Sequence, residues 1–247
     1  MKISLITVTY NADEFLVTCI QSVLNQTYKD VEYIIIDGAS TDSTLSIIEK
    51  FSGEIDKVVS EKDMGIYDAM NKGIALATGN VIGILNSDDF FADDNVLENI
   101  AAEFANSQAD IVYGDLIYVS RLNIDKIIRI WKSSPYVKGL FQWGWMPPHP
   151  TFYVKKDIFD KHGRYNFNYN TAADYELMLR FMHKHKVKSS YIPKVFVKMR
   201  AGGVSNYSFK NRVMANIQDF KAMKLNGIRI PIITIILKPF RKLLQYL

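Results

Sequence analysis

The chain has 247 residues, of which 48% are hydrophobic and 23% charged, a composition that excludes a disordered chain and a collagen-like or mucin-like repeat. Its formal charge of +4 hides an asymmetry: residues 180–247 carry 15 basic residues and one acidic residue, Asp219, whereas residues 1–179 carry 15 basic and 25 acidic residues. The single cysteine, Cys19, excludes an intramolecular disulfide. We find no signal-peptide pattern and no run of roughly 18–20 apolar residues, and therefore expect a cytoplasmic protein, soluble or attached to the inner face of the membrane.

The first hundred residues alternate between short apolar runs and stretches with helical periodicity. Continuous apolar strands that alternate with helices are typical of a parallel sheet covered on both faces. We therefore predict a doubly wound α/β core. The predicted strands are 3–8, 31–36, 57–60 and 81–85, and the predicted helices are 12–25, 42–51, 66–77 and 95–105.

The pattern changes after residue 106. An aromatic segment with three prolines, 141–150, excludes a regular helix or a central strand there. We expect one compact domain over 1–205, with a first half at about 1–106 and a second half at about 107–205, followed by a basic helical extension over 206–247. The other predicted elements are an antiparallel strand pair at 111–119 and 124–131, a helix at 171–185, a strand at 191–199, and helices at 207–225 and 232–246.

Polar side chains follow every strand of the predicted sheet. In an open parallel sheet, ligands bind at the carboxyl ends of the strands, so these residues predict a site. A GxGxxG fingerprint, a P-loop and a Cys/His metal spacing are all missing, which leaves carboxylate chemistry and a hard cation such as Mg²⁺ or Mn²⁺. The residues that follow the strands include Thr9, Tyr10, Asp37, Asp63, Asp88 and Asp89.

Two adjacent carboxylates, Asp88 and Asp89, end the apolar strand at 81–85. Neighbouring carboxylates repel each other unless a cation joins them. A divalent ion that bridges them to a diphosphate would neutralise the charge of a phosphate leaving group. The alternative is a solvated loop in which Asp88 caps a short turn.

Asp174 lies at the start of a predicted helix. It is a candidate general base that accepts a proton from an attacking hydroxyl. The alternative is structural, because Thr171 and Asp174 have the spacing of a capping box and an acid in the first turn suits the helix dipole.

Four further residues are candidate ligand contacts, each with a structural alternative. Lys72 would pair with phosphate or be solvated, and His149 would line the pocket or make a structural hydrogen bond. Trp145, with Trp143, would stack on a sugar or pack as a lid on the core. Arg200 and the glycine loop at 201–205 would approach a diphosphate or form only a turn.

Several segments in order resemble the family 2 glycosyltransferases, which have the GT-A fold. The resemblance covers roughly residues 1–205 and is specific because the motifs occur as an ordered series. Its segments are Thr7-Val8-Thr9-Tyr10-Asn11, Asp37-Gly38-Ala39-Ser40-Thr41-Asp42-Ser43-Thr44, Gly65-Ile66-Tyr67-Asp68-Ala69-Met70-Asn71-Lys72-Gly73-Ile74, Asn86-Ser87-Asp88-Asp89, His149-Pro150-Thr151-Phe152 and Ala173-Asp174-Tyr175-Glu176.

The resemblance implies an inverting transfer of a sugar from a nucleotide donor, expected to be a UDP-sugar, to a saccharide or lipid-linked saccharide of the cell surface. It implies that Asp89 ligates Mn²⁺ or Mg²⁺ on the diphosphate and that Asp174 is the catalytic base. The donor contacts that it implies are Thr9 and Tyr10 at the nucleoside, Asp37 at the base, Asp63 and Lys72 near the base, ribose or phosphate, and Asp88 at the ribose or donor sugar.

Two departures from the family pattern bear on this expectation. Many members have proline where Val8 stands, which matters little inside a strand. Processive synthases of the family carry a QxxRW motif and transmembrane helices, and this sequence has neither. The resemblance therefore implies a non-processive enzyme that adds one sugar.

The last predicted helix is basic and amphipathic. Ile232, Ile236, Phe240, Leu243 and Leu247 share one face, and Lys238, Arg241, Lys242 and Gln245 lie opposite. Such a helix, within 228–247, can lie on an anionic membrane, or its apolar face can dock on the domain or on a second copy in a homodimer. Proline at 239 predicts a kink or a restart of the helix.

Two other functions compete with the enzyme. A non-catalytic subunit would bind the nucleotide sugar without turnover. A nucleic-acid module would use the basic residues of 180–247, but aromatic residues are sparsely interleaved there and the acidic body would oppose binding. We therefore expect no nucleic-acid partner.

Overall fold

The computed structural model describes residues 1–169, 171–202, 209–243 and 245. Strands and helices alternate through the first half, as the sequence predicts, and their bounds agree within a few residues. The strands of this half are β1 (Ile3–Thr9), β2 (Val31–Asp37), β3 (Lys57–Ser60), β4 (Val81–Asn86) and the short β5 (Phe90–Phe91), and its helices are α1 (Leu16–Leu24), α2 (Thr44–Lys50), α3 (Ile66–Leu76) and α4 (Val96–Asn106).

Among the described residues, the second half adds four strands, four α-helices and one π-helical turn. The predicted antiparallel pair is present, and the proline-rich aromatic segment forms only short 3₁₀ turns at Leu140–Trp143 and His149–Thr151. The strands are β6 (Ile111–Val119), β7 (Ile127–Trp131), β8 (Tyr153–Lys155) and β9 (Ser189–Arg200), and the helices are α5 (Lys156–His162), α6 (Ala173–Met178), a π-helical turn at Leu179–Lys184, α7 (Phe209–Leu225) and α8 (Pro231–Leu243).

One curled sheet connects the two halves. Among the described residues its strand order is β3-β2-β1-β4-β8-β6-β9-β5. Strand β7 pairs with the second half of β6, Leu116 to Val119, beyond the residues that pair with β8. The four strands β3-β2-β1-β4 are parallel, as predicted for a doubly wound core, and β8 joins β4 to β6 through antiparallel pairs. The order of the chain reverses at β1, between β2 and β4, which is where such sheets bind ligands.

Apolar side chains cover both faces of the sheet. In β1, Ile6 and Val8 pack into the cluster beneath α3, while Ile3 and Leu5 pack into the opposite cluster with α1 and α4. This alternation follows from the two-residue period of a strand. Helix α3 approaches closely, since a Cβ atom on Gly73 would lie 2.4 Å from Cγ2 of Ile6.

Four elements differ from the sequence-based prediction. The short strands β5 and β8 were not predicted, because two- and three-residue strands leave no periodic signal, and the seven-residue helix α5 was not predicted either. The predicted helix at 171–185 is present, but it continues as a π-helical turn after Met178.

Helix α8 docks on the domain in the opposite sense to the alternative drawn from its sequence. Its polar face contacts the protein: the Thr234 hydroxyl donates to the Gln142 carbonyl at 2.8 Å, and Arg241 Nε donates to the Trp143 carbonyl at 2.8 Å. Its apolar face is exposed, with Phe240 61% accessible. The helix runs through Pro239 without a restart, so the restart, one of the two effects that we expected of this proline, is wrong. Leu247 lies outside the described residues.

Within the described part of the chain, none of the helices combines the length and the apolar character that crossing a membrane requires.

Candidate active site

The carboxyl ends of the parallel strands meet at one edge of the sheet. Thr9 of β1 is in register with Asp37 of β2, and Asp37 is in register with Ser60 of β3. On the other side Val8 is in register with Asn86 of β4. The structure therefore brings together the polar strand ends that the sequence singled out.

Asp37 is fully buried at the end of β2. Its carboxylate accepts hydrogen bonds from the Ser40 amide at 3.0 Å and from the hydroxyls of Ser40 and Ser60 at 2.5 and 2.6 Å. These contacts fix the orientation of the carboxylate. Neither serine was among the predicted site residues, although Ser40 stands in the motif that carries the family resemblance.

Tyr10 and Asp63 converge on the backbone of Gly38. A Cβ atom on Gly38 would lie 2.7 Å from Oδ2 of Asp63 and 3.3 Å from the Tyr10 ring. The Tyr10 ring is 63% exposed. The absent side chain of Gly38 therefore leaves room for two candidate nucleoside contacts beside Asp37.

Lys72 lies close to this group but is engaged with acids. Its ammonium contacts Glu61 Oε1 at 2.8 Å and Asp68 Oδ2 at 3.7 Å. The hydrogen bond to Glu61, followed by the charges of Glu61, Asp68 and Asp63, raises the pKa of Lys72. The lysine is thus a fixed positive charge, and a phosphate would have to compete with Glu61 for it.

Asp88 and Asp89 occupy the turn after β4 in very different environments. Asp88 is partly exposed, whereas Asp89 is fully buried. Burial, and then the charge of Asp88, raises the pKa of Asp89 well above its ordinary value. Asp89 Oδ2 accepts a hydrogen bond from the side-chain Nδ2 of Asn86 at 3.2 Å, but Oδ1 has no hydrogen-bond partner among the described residues.

Arg200 closes the edge behind the two aspartates. Its guanidinium donates to the Asp88 carbonyl at 2.7 Å and lies 4.7 and 4.8 Å from the ring centroids of Phe15 and Phe90. The side chain is only 5% exposed. Of the glycine loop that follows Arg200 in the sequence-based prediction, residues 203–205 lie outside the described residues.

The donor set fits a hard divalent cation bound with a diphosphate. No cluster of three or more His, Cys, Asp or Glu side chains able to hold a metal occurs in the described ranges. However, Mg²⁺ usually binds one or two carboxylates and completes its shell with phosphate oxygens and water. The buried Oδ1 of Asp89, beside Asp88, has no hydrogen-bond partner among the described residues and would supply the protein part of such a shell.

Asp174 lies at the start of α6 and is held by two donors. Its Oδ1 accepts a hydrogen bond from the Tyr67 hydroxyl at 3.2 Å and from the Tyr175 amide at 2.7 Å. The capping-box alternative fails in one respect, because Thr171 contacts Gln218 and makes no cap to the helix. Tyr67 belongs to α3, so the first half of the chain orients a carboxylate of the second half.

His149 contacts Tyr165, the residue whose ring packs on Tyr67. Its Nε2 lies 2.7 Å from the Tyr165 hydroxyl, and the Tyr165 ring stacks on Tyr67 with centroids 5.6 Å apart. Burial lowers the pKa of His149, although the charge of Asp174 opposes this. Like Ser40 and Ser60, Tyr67 and Tyr165 were not among the site residues predicted from the sequence. Tyr67 lies in the segment 65–74, which carries part of the family resemblance, while Tyr165 has no sequence signal.

The two tryptophans of the aromatic segment are placed differently. Trp145 is 5% exposed and packs edge-on against Phe141 and Tyr113, with centroids 5.3 and 6.0 Å away. Trp143 is 60% exposed. The structure thus shows Trp145 packed on the core, the structural alternative that its sequence left open. Trp145 also lines a cleft between β7 and the two C-terminal helices.

Solved structures with this fold carry nucleotide sugars. A fragment of S. aureus TarS in complex with UDP-GlcNAc superposes with a TM-score of 0.72 at 18% identity, covering 93% of this chain and 66% of that one. A mannosyltransferase from Pyrobaculum calidifontis in complex with GDP-Man and Mn²⁺ gives 0.71 at 17% identity, covering 97% and 71%. This chain spans only 40% of a longer TarS structure. At these identities the likeness shows the fold, GT-A.

Sequence comparison identifies the family. A PGL/p-HBAD biosynthesis glycosyltransferase of Mycobacterium bovis is 29% identical over 215 residues, 82% of this chain and 78% of that protein. A chondroitin synthase of Escherichia coli is 38% identical over 119 residues, 47% of this chain and 17% of that protein. The model of the family described as glycosyl transferase family 2 matches residues 4–165. The chain is therefore a glycosyltransferase and belongs to glycosyl transferase family 2.

Proposed function

We propose that this glycosyltransferase is a metal-dependent, inverting enzyme that moves one sugar from a UDP-sugar to a hydroxyl of a saccharide or lipid-linked saccharide in cell-surface glycan synthesis. The observation that carries the proposal is the buried Oδ1 of Asp89, which has no hydrogen-bond partner in the described structure. A buried carboxylate oxygen without a partner is costly, and a bound cation removes that cost. The ligands of two solved structures with the same fold, UDP-GlcNAc in one and GDP-Man with Mn²⁺ in the other, support a nucleotide-sugar donor.

The donor would lie along the carboxyl edge of the sheet. Tyr10, Asp37 and Asp63 would contact the nucleoside, with Thr9 beneath it; the Thr9 hydroxyl is buried and has no hydrogen-bond partner among the described residues. Asp88 would contact the ribose or donor sugar. Lys72 would lie near the base, ribose or phosphate, as the family resemblance implies. Arg200, at the start of the glycine loop, would place positive charge near the diphosphate.

Mg²⁺ or Mn²⁺ bound by Asp89 would offset the negative charge of the departing nucleoside diphosphate. Asp174 would accept the proton of the acceptor hydroxyl as its oxygen forms a bond to the anomeric carbon. The bond from that carbon to the diphosphate oxygen breaks in the same displacement, which inverts the configuration. Both described hydrogen bonds to Asp174 are made by Oδ1, so Oδ2 is the oxygen suited to take the proton.

The test is a panel of nucleotide sugars offered to the purified chain with and without Mn²⁺. We expect nucleoside diphosphate release and thermal stabilisation with one donor only when the metal is present. Asp89→Ala should abolish both, and Asp174→Asn should abolish transfer while leaving the donor-induced thermal shift intact.

Asp94→Asn is the matched control, because Asp94 is an exposed acid in the next loop, between β5 and α4. Metal-independent release, or an Asp89→Ala variant as active as the wild type, would refute the metal role. A silent Asp174→Asn would refute the base. Donor binding without turnover in the wild type would instead favour a non-catalytic nucleotide-sugar subunit.

The exposed apolar face of α8 supports a place for the enzyme at the inner face of the membrane. Ile232, Ile236, Phe240 and Leu243 are each more than half exposed on that helix. Arg229 and Lys242 are exposed beside them. Apolar side chains flanked by basic ones favour an anionic lipid surface, where a lipid-linked acceptor would also be found.

A further inference from the structure

A cleft of about 990 Å³ opens between β7, the aromatic segment and the two C-terminal helices. Its described lining does not include Asp37, Asp88 or Asp89, so it is distinct from the proposed donor site. Its size is in the range that holds a drug-sized ligand. The site and the fold described so far assign it no function.

The lining of the cleft is strongly basic. Five of its described residues are basic and none is acidic; the five are Arg129, Lys132, Lys238, Arg241 and Lys242. Clefts lined by one sign of charge concentrate ligands of the other sign. The cleft therefore favours an anion.

Three of these charges are held in place by the framework. Arg129 lies 3.7 Å from the centroid of the Tyr118 ring, and Arg241 is hydrogen-bonded to the Trp143 carbonyl. Lys238 contacts Asp219 Oδ2 at 2.5 Å. Arg129 and Arg241 therefore need little reordering when an anion binds, which lowers the entropic cost of binding. At Lys238 an anion has to compete with Asp219.

The cleft is connected to the proposed base by Lys238. The ammonium of Lys238 lies 3.7 Å from the centroid of the Tyr175 ring, and Tyr175 follows Asp174 at the start of α6. A ligand that contacts Lys238 would therefore touch a side chain packed on the residue next in sequence to Asp174. This location suits an acceptor and not a remote effector.

Apolar side chains border the basic lining. Ile127, Ile128 and Ile130 of β7 line the cleft and are 41–52% exposed. Trp131 and Trp145 line it as well. A ligand with an anionic group next to an apolar part matches this pairing of charge and hydrocarbon.

We propose that this cleft binds the phosphate or diphosphate ester of an anionic acceptor and presents the attached sugar to Asp174. The proposal rests on the proposed function, because it places the acceptor of that reaction. Guanidinium and ammonium groups bind phosphate oxygens through charge-assisted hydrogen bonds. The phosphate ester belongs either to a lipid headgroup or to a water-soluble phosphorylated acceptor, and the two sources share this recognition.

The experiment is calorimetric titration of the full chain with farnesyl diphosphate, inorganic diphosphate and farnesol in buffer with EDTA. Without divalent metal, a metal-bridged diphosphate at Asp89 cannot form. The variant is Lys132→Glu with Lys242→Glu, two exposed positions of the lining. The control is Lys50→Glu with Lys161→Glu, which reverses two exposed charges on α2 and α5.

We expect farnesyl diphosphate to bind the wild type and the control within twofold of each other, and the cleft variant at least tenfold more weakly. Farnesyl diphosphate binding at least tenfold tighter than inorganic diphosphate identifies a lipid headgroup. Equal binding identifies the phosphate group alone and a water-soluble source.

Three outcomes would overturn the proposal: no binding of either diphosphate, equal affinity in the cleft variant and the wild type, or farnesol as tight as farnesyl diphosphate. The metal-free titration does not depend on the donor. An inactive donor panel with intact diphosphate binding would therefore refute the proposed function and leave the cleft as a phosphate site.

Discussion

The carboxylate of Asp174 is oriented by donors from two parts of the chain. The Tyr175 amide comes from its own helix, and the Tyr67 hydroxyl comes from α3, more than one hundred residues earlier. Tyr67 is itself positioned by stacking on Tyr165. Removing one hydroxyl therefore changes the orientation of the proposed base without changing the packing around it.

We predict that Tyr67→Phe lowers kcat about tenfold, the cost of one hydrogen bond to a charged group. Because the ring and its stacking on Tyr165 are kept, KM for the donor and the melting temperature should stay at wild-type values. Steady-state kinetics and a thermal melt measure the three quantities. A raised donor KM with unchanged kcat would assign Tyr67 to donor binding instead.

A second residue, Glu32, connects several elements of the sheet away from the site. It is 2% exposed, and its carboxylate accepts hydrogen bonds from Lys57, Ser4 and Thr78. Burial alone would raise the pKa of Glu32, but these hydrogen bonds outweigh it and lower the pKa to about 2. The ionised form is thus more stable in the folded chain than in the unfolded one.

The linkage has a definite sign. A carboxyl group whose pKa is lowered by folding stabilises the protein above its unfolded pKa, and this contribution is lost as the pH falls toward the folded pKa of about 2. We predict that Glu32→Gln removes roughly 3 kcal/mol at pH 7. Urea unfolding from pH 7 to pH 2 should show a smaller loss of stability in the variant than in the wild type, and parallel curves would contradict the assignment.

The strand ends were predictable because they need only a local pattern. An apolar run followed by Asp37 or by Asp88 and Asp89 marks the carboxyl end of a strand, and the parallel sheet then brings those ends together. The partners of these residues were not predictable. Ser60 reaches Asp37 only because β3 pairs with β2, and no local signal in the sequence specifies that contact.

At the scale of elements, α8 shows where periodicity stops being sufficient. Periodicity separated its apolar and polar faces correctly but did not say which face meets the protein. The structure uses the polar face, since Thr234, Lys238 and Arg241 each find a specific partner on the domain. Apolar burial is non-directional, whereas these contacts depend on the positions of two carbonyls and one carboxylate that the rest of the fold supplies.

The docking of α8 depends on a glycine of the aromatic segment. Gly144 has φ of +76°, and a Cβ atom there would lie 2.8 Å from the backbone nitrogen of Lys238. Gly139 also has a positive φ, +100°, but a Cβ atom on it would meet nothing within 4 Å. A side chain at Gly139 would therefore cause backbone strain alone, whereas a side chain at Gly144 would cause backbone strain and also clash with α8.

We predict that Gly144→Ala displaces α8 and speeds hydrogen exchange at its amides, while Gly139→Ala carries only the backbone penalty of about 1 kcal/mol. Hydrogen exchange read by mass spectrometry over 231–243, with a thermal melt of each variant, measures the difference. Equal exchange over α8 in the two variants would show that the helix does not rest on Gly144.

At the scale of the whole molecule, the two signs of charge occupy different regions. Four carboxylates, Asp37, Asp63, Asp88 and Asp89, belong to the edge of the sheet where a cation and a nucleotide are proposed. Three basic residues of the last third, Lys238, Arg241 and Lys242, line the cleft, and Arg229 and Lys242 are exposed beside the apolar face of α8. The sequence showed the segregation, but only the fold shows that part of the positive charge faces inward.

We predict that the chain binds vesicles containing phosphatidylglycerol and not vesicles of phosphatidylcholine alone, with binding that weakens as salt rises. Ile236→Ser with Phe240→Ser should weaken binding at least tenfold, because each side chain loses roughly 1.5–3 kcal/mol of apolar burial. Vesicle co-sedimentation measures this.

The control for the vesicle experiment is Leu122→Ser with Val137→Ser, two exposed apolar residues away from α8. It should bind as the wild type does. Unchanged binding by the α8 variant would refute membrane contact through this face. A dimer in light scattering that the α8 variant abolishes would assign the face to a second copy of the chain.

Lys238 joins the cleft, the ion pair with Asp219 and the ring beside Asp174 in one side chain. Binding free energies that share a group are reciprocal: a ligand that changes the position of Lys238 alters the surroundings of the base, and a change at the base alters affinity for that ligand by the same factor. Burial raises the pKa of Asp219, and the charge of Lys238 lowers it. The protonation of Asp219 therefore also depends on the position of Lys238. Acceptor occupancy and readiness of the base would therefore be thermodynamically coupled, so that this transferase would distinguish an empty acceptor site from a filled one before any bond is made.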